Sequence, residues 1–158
     1  ILKIIDNFLD EDSFKKIKNT MESNFFPWFY QKNISGLDTE EDCYFVHFLY
    51  NKDAVHSSDY PIVKPILKKL KYRSLMRIKC NMYIKSDKIK KHQAHQDFTF
   101  KHLGAIYYVN SNNGFTIIGN KKVESIENRL LMFDPSVKHQ STNCSDKRVR
   151  LNINFNYL

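Results

Sequence analysis

The sequence predicts a mainly β domain with helices at its N-terminal end and a double-stranded β-helix, or jelly-roll, core. Three observations predict it. Strand-like runs follow one another from Arg77 to Tyr157 with no convincing helix between them, both helical patterns lie before residue 75, and 158 residues suit one hydrophobic core better than two. The hydrophobic fraction of 42% and the aromatic fraction of 14% supply enough apolar surface to offset the entropy of ordering such a chain.

Each element has its own signal. Ile1 to Leu9 mixes apolar and polar positions as a short strand does. Asp10-Glu11-Asp12-Ser13 supplies capping oxygens and negative charge for a helix whose apolar side is Phe14, Ile17 and Met21. Phe25 to Tyr30 and Cys43 to Tyr50 are aromatic-rich runs of strand length, separated by the turn-like Asn33-Ile34-Ser35-Gly36. Between Tyr60 and Leu70 a second helix is predicted, with Pro61 in its first turn, Ile62, Ile66 and Leu70 inside, and Lys64, Lys68 and Lys69 in water. The strands that follow are Arg77 to Ile84, Leu103 to Asn110, Gly114 to Ile118, Lys122 to Ile126, Arg129 to Phe133 and Arg148 to Tyr157. With no repeat, linker or low-complexity run, residues 1–158 read as one domain, its helical support over about 1–74 and its β core over about 75–158.

Composition narrows the function classes. Lys and Arg total 25 against 17 Asp and Glu, a formal charge of +8. That charge permits attraction to nucleic acid, anionic lipid or acidic protein, but the lysines are spread along the chain as on an ordinary solvated surface. No stretch approaches the roughly 18–20 apolar residues of a membrane span, and Ile1 to Asp6 is too short for a signal peptide. Cys43, Cys80 and Cys144 are odd in number and lack CxxC spacing, so a reducing compartment fits. The expectation is a cytoplasmic protein without a membrane partner.

Among six histidines, one combination is chemically pointed. His95-Gln96-Asp97 places an imidazole and a carboxylate two residues apart, on one face if the segment is extended. His139, after the turn Asp134-Pro135-Ser136, can supply a third ligand from another strand. Two His and one carboxylate with open positions form the facial triad of non-haem Fe(II) oxygenases. Arg148 and Arg150 then open the last strand, where Arg148, Arg150, Asn152, Asn154 and Asn156 alternate with Val149, Leu151, Ile153, Phe155 and Tyr157. A polar face of this kind either meets water or lines a pocket in which an Arg fork receives a carboxylate. His92 and His102 read as surface residues, and His47 and His56 as structural or exposed ones. Lys85, Lys88, Lys90 and Lys91 read as a solvated loop before the motif that could also guide an acidic substrate.

The order HxD, His, Arg from about Arg77 to Leu158 resembles the catalytic core of the Fe(II)- and 2-oxoglutarate-dependent dioxygenases, in the prolyl-hydroxylase-like group. Ala105-Ile106-Tyr107-Tyr108-Val109-Asn110, Val123-Glu124-Ser125 and Ile153-Asn154-Phe155-Asn156-Tyr157 are similar to stretches of short phage-encoded members. The N-terminal half matches only generally, through Ile5-Asp6-Asn7-Phe8-Leu9 followed by a helix. The resemblance implies that His95, Asp97 and His139 bind Fe(II) and form the catalytic centre. It also implies that Arg150 anchors the distal carboxylate of 2-oxoglutarate, with Arg148 as its substitute. Ile106, Tyr108 and Tyr83 are implied to wall that pocket, the tyrosines offering hydroxyls to the carboxylate or serving as core aromatics. Dioxygen is the other cosubstrate, with ascorbate as an optional reductant and the host cytoplasm as the location for a phage enzyme. The implied reaction hydroxylates a substrate C–H bond with release of succinate and carbon dioxide, a prolyl or other peptidyl or amino-acid residue being the favoured substrate. The alternatives are a nucleic-acid demethylase of the same superfamily, weakened by Asn156 where those enzymes carry a second Arg, and a non-catalytic metal-binding jelly-roll module.

Overall fold

The computed structural model describes residues 2–33 and 43–158; Ile1 and all of the predicted turn but Asn33 lie outside them. β1 (Lys3–Ile5) is followed by helix α1 (Glu11–Glu22), then β2 (Phe29–Gln31), β3 (Tyr44–Asn51) and β4 (Ala54–Val55). A 3₁₀ turn over Tyr60–Val63 leads into helix α2 (Lys64–Lys69). The rest is β: β5 (Leu75–Ile84), β6 (Leu103–Tyr108), β7 (Phe115–Ile118), β8 (Lys121–Glu124), β9 (Arg129–Phe133), β10 (His139–Ser141) and β11 (Val149–Tyr157). The larger sheet runs β1-β9-β6-β11-β5-β3-β2 with β4 on β3, and the smaller runs β10-β7-β8. These two sheets, with helices only in the N-terminal part, are compatible with the expected jelly-roll core.

Local chemistry accounts for the helices. The Asp10 carboxylate accepts from Ser13 N at 2.9 Å, Glu11 and Asp12 occupy the first turn of α1, and Phe14, Ile17 and Met21 are buried. The second helical segment is tighter than predicted, because Pro61 and Pro65 each remove a backbone donor and favour a short 3₁₀ turn before α2. Two strand predictions shrink. Only Lys3–Ile5 of the first run pairs with β9, since Asn7 has φ 49° and turns the chain so that Phe8 and Leu9 enter the core. Of Phe25 to Tyr30, only Phe29 and Tyr30 are in β2.

The central strand β11 divides the molecule. Leu151, Ile153, Phe155 and Tyr157 join Ile17, Met21, Ile66 and Leu67 of the helices, with Ile78 and Cys80 of β5, in one apolar cluster. Arg150, Asn152, Asn154 and Asn156 alternate with them and so point to the opposite side, where Asn152 and Asn154 border a cavity with Thr116 of β7 and Ser141 of β10.

Asn128 ties the N-terminal segment to this frame. It lies between β8 and β9 at φ 58°, where its Oδ1 accepts from Leu9 N and from the Tyr107 hydroxyl, both at 2.9 Å. Its Nδ2 donates to Leu9 O, also at 2.9 Å. Asn128→Ala removes these bonds, leaves buried partners unpaired and keeps a left-handed backbone without the Asn side chain that tolerates it. We expect a loss of about 2–4 kcal/mol in urea-unfolding free energy. A change below about 0.5 kcal/mol would contradict this role.

Candidate metal centre

The segment carrying His95 and Asp97 is not a regular strand. It is held extended by backbone bonds to the chain around His139: His95 N to His139 O at 3.0 Å, His139 N to His95 O at 2.9 Å, and Asp97 N to Pro135 O at 3.0 Å. This bridge, together with the unanticipated strand β10, brings the two imidazoles to 4.6 Å between ring centroids. Ser136 N donates to Asp134 Oδ1 at 3.0 Å, which fixes the turn that leads into His139.

The ring nitrogens are already sorted. Nδ1 of His95 lies 3.2 Å from Gln93 O, and Nδ1 of His139 lies 3.0 Å from Val137 O. A carbonyl only accepts, so Nδ1 carries the proton in both rings and Nε2 is left with its lone pair. These Nε2 atoms stand 3.8 and 3.9 Å from Asp97 Oδ1, and the three donor groups lie within 4.8 Å of one another. Burial, followed by the neighbouring His139 ring, pushes the His95 pKa below its ordinary value, which favours the neutral ligand form. Two oriented imidazoles and one ionised carboxylate around one point fit a divalent transition metal with open positions.

Asp97 is supported on its other side. Its Oδ2 accepts from Asn156 Nδ2 at 2.8 Å, and Arg77 Nε donates to Asn156 Oδ1 at 3.0 Å. Arg77 Nη2 lies 3.1 Å from Asp97 Oδ1, an ion pair by distance without hydrogen-bond alignment. Burial alone would raise the Asp97 pKa, but Arg77, His139, Asn156 and Lys79 together outweigh it and bring the value down to about 2. His102 Nε2 stands 3.2 Å from the same Asn156 amide.

Arg150 is fully buried. Its Nε donates to Ser125 Oγ at 2.7 Å, Nη1 to Ser141 Oγ at 2.7 Å and Thr142 O at 3.0 Å, and Nη2 to Thr116 Oγ1 at 3.2 Å. None of these partners carries a negative charge. The guanidinium carbon lies 5.4 Å from the Tyr83 ring and 5.8 Å from the Tyr108 ring. The Tyr108 hydroxyl donates to Thr116 Oγ1 at 2.8 Å, while Ile106 and Tyr83 border the cavity with His95 and His139. Arg148 is exposed and precedes β11 rather than opening it, so the predicted substitute stands apart from the cavity.

Two histidines correct the sequence reading. His92 and His102 are each 3% exposed rather than on the surface. His92 N donates to Ser141 O at 2.9 Å, and the Lys91–Thr142 bridge folds this loop onto β10, which lays the imidazole 5.0 Å from the Tyr83 ring. His102 is drawn inside by its contacts with Phe98 and Asn156. His47 is buried and His56 exposed, while Lys85, Lys88, Lys90 and Lys91 are all exposed. The sequence reading missed Arg77, Lys79 and Asn81. Their signal was the alternation Arg77-x-Lys79-x-Asn81-x-Tyr83, which pairs rung by rung with Asn156, Asn154, Asn152 and Arg150.

No protein-family model and no curated protein sequence matches this chain. Solved structures do. An oxidoreductase of the 2OG-Fe(II) oxygenase family from Burkholderia pseudomallei matches with a TM-score of 0.70 at 10% identity, over 99% of this chain and 84% of that one. The viral collagen prolyl hydroxylase of Paramecium Bursaria Chlorella virus-1 matches with a TM-score of 0.59 at 10% identity, over 99% and 90%. A Trichoplax adhaerens prolyl hydroxylase, solved with a hypoxia inducible factor oxygen degradation domain peptide fragment, matches with a TM-score of 0.63 at 15% identity, over 99% and 83%. The fold is that of the 2OG-Fe(II) oxygenases. Within this oxygenase fold, no helix among the described residues is long and apolar enough to cross a membrane.

Two outcomes test the site as built. Burial first, then Arg150 and His95, lower the His92 pKa to about 3. The unfolded chain protonates this group near pH 6.5, so the stability of the neutral buried ring is full above that value and falls as the pH drops toward 3. Asp97 adds a second loss between its ordinary value of 3.8 and about 2. Urea unfolding followed from about pH 7.5 to about pH 4 should show this decline, and His92→Gln should flatten it. Gly114 supplies the other test: a Cβ there would lie 2.6 Å from Arg150 Cδ and 2.5 Å from Asn143 O. Gly114→Ala should destabilise the fold by about 1–3 kcal/mol through this crowding, measured by thermal unfolding.

Proposed function

We propose that this chain is an Fe(II)- and 2-oxoglutarate-dependent oxygenase that hydroxylates a C–H bond, with a prolyl or other peptidyl or amino-acid substrate. One observation carries the reading. His95 and His139 of the convergent triad share a cavity wall with Ser141 and Thr116, two of the groups that hold the buried and uncompensated Arg150. A guanidinium excluded from water without a carboxylate partner is costly unless a ligand brings the anion. The distal carboxylate of 2-oxoglutarate is that anion, flanked by Tyr83 and Tyr108.

When bound, iron supplies the oxidative chemistry with dioxygen, coupling decarboxylation of 2-oxoglutarate to substrate hydroxylation. The chain's own residues provide orientation and exclusion. His95 and His139 present Nε2 because Gln93 O and Val137 O hold the Nδ1 protons, and Asp97 presents Oδ1 because Asn156 holds Oδ2. Arg150 and its hydroxyl collar set the depth at which the cosubstrate stops. Ile106 and Tyr83 wall that end and the buried Tyr108 backs Thr116, which together exclude water from it.

The peptidyl or amino-acid reading rests on the likeness to prolyl hydroxylases, one of them solved with a peptide. The demethylase reading is weaker because Asn156, in the position of a second Arg, is occupied by Asp97 and Arg77. A non-catalytic module gives no physical reason to bury Arg150 beside a metal-ligand triad.

Anaerobic addition of Fe(II) and 2-oxoglutarate should produce a weak visible charge-transfer band that His95→Ala or Asp97→Ala abolishes; its absence from the unmodified protein would refute the reading. Arg150→Ala should weaken 2-oxoglutarate binding by about 3–5 kcal/mol, while Arg148→Ala leaves it nearly unchanged. Succinate release tested with proline-containing peptides, free amino acids and methylated oligonucleotides ranks the substrate classes. Stimulation by the oligonucleotides alone would favour the demethylase.

A further inference from the structure

A second cation faces the same cavity, and neither the fold nor the triad accounts for it. Lys79 stands on β5 opposite Asn154, with the Arg77–Asn156 rung that holds Asp97 on one side and the Asn81–Asn152 rung on the other. Arg150 lies one rung beyond Asn152, so Lys79 occupies the metal-ligand end of the ladder and Arg150 the far end. Lys79 borders the cavity together with Tyr44, His95 and His139.

The ammonium has little to hold. Its Nζ donates to the Tyr44 hydroxyl at 3.3 Å and sits 5.6 Å from the centre of that ring. No carboxylate lies within ion-pair distance of it among the described residues, and the cavity wall includes no Asp or Glu. Directly across the ladder, Asn154 Oδ1 is buried without a hydrogen-bond partner, so Lys79 does not serve as a strut between the strands. Burial, with a smaller push from Arg77, brings the Lys79 pKa down to about 8, which leaves the group mainly protonated at neutral pH. A charge held in this way favours an incoming anion.

We propose that Lys79 grips the 2-oxo-acid end of the ligand whose distal carboxylate Arg150 receives, making the cavity a two-cation clamp for a 2-oxo dicarboxylate. The inference rests on the reading of the chain as a 2-oxoglutarate-dependent oxygenase and adds a residue specific to this chain. With cations at both ends, the clamp selects against monocarboxylic oxo acids at one end and against simple carboxylates at the other.

The test is anaerobic calorimetric titration of the Mn(II)-loaded protein with 2-oxoglutarate and with 2-oxobutyrate, which keeps the oxo acid and lacks the distal carboxylate. Lys79→Gln should weaken both ligands about tenfold, and Lys79→Arg, which retains the charge, less than about threefold. Arg150→Met should weaken 2-oxoglutarate alone. Thermal unfolding of each variant establishes that it is folded, and the Arg variant keeps the test decisive if the Gln variant is not. Unchanged affinity for both ligands in Lys79→Gln overturns the proposal and hands Lys79 to an anionic primary substrate. Weakening of 2-oxoglutarate alone overturns it by placing Lys79 at the distal end. Failure of the unmodified protein to bind either ligand overturns the oxygenase reading along with it.

Discussion

The pairing of β5 with β11 is the constraint from which the rest follows. Both strands alternate apolar and polar residues, and the register places like with like: Ile153 against Cys80 and Phe155 against Ile78 on one side, Asn152 against Asn81 and Arg150 against Tyr83 on the other. A slip of one residue would turn Arg150 toward the helices and Ile153 into the cavity, so burial on both faces fixes the register far more firmly than backbone hydrogen bonds alone. The helices then have only one face to cover, and the small sheet β10-β7-β8 closes over the other.

Charge is distributed unevenly inside this frame. Asp97 has Arg77 and Asn156 to hold it and remains ionised to about pH 2. Among the described residues, Arg150 has only hydroxyls and a carbonyl, and Lys79 only a phenol. Stability alone would favour neutral side chains at the last two positions, because a buried ion without its partner costs several kcal/mol. The asymmetry makes sense when the missing negative charge arrives with a ligand, whose binding then stabilises the folded state by mass action.

Much of this was legible in the chain. The alternation along Arg150 to Tyr157 revealed both faces of the central strand, and Asp10 with Phe14, Ile17 and Met21 revealed the first helix and its buried side. The fold class followed from the density of strands. What stayed hidden depends on how loops fold back on strands. His92 and His102 lie in irregular segments, where no period tells inside from outside, and both were drawn in by partners remote in sequence: Ser141 for one, Asn156 for the other. His139 begins a strand of three residues that exists because it pairs with β7 and bridges to His95, and neither partner can be read locally. Lys79 escaped notice because a lysine in a strand ordinarily marks the solvent face, and only the register with Asn154 shows that this face is closed.

The two ends of the cavity are also built differently. Arg150 projects from the central strand of the larger sheet, where it pairs with Tyr83 of β5 just before the β6 pairing begins at Asn152, so regular strand backbone sets its position. His95 and Asp97 instead lie in an irregular segment anchored by three backbone bonds to the chain around Pro135 and His139. Such a segment opens at lower free energy than a central strand. A metal that joins His95, Asp97 and His139 therefore cross-links the loop to β10, and the binding free energy becomes ordering free energy for that loop. On the proposed reading, the rigid end would fix where an anionic ligand stops, and a metal would complete the end that the polypeptide holds least firmly.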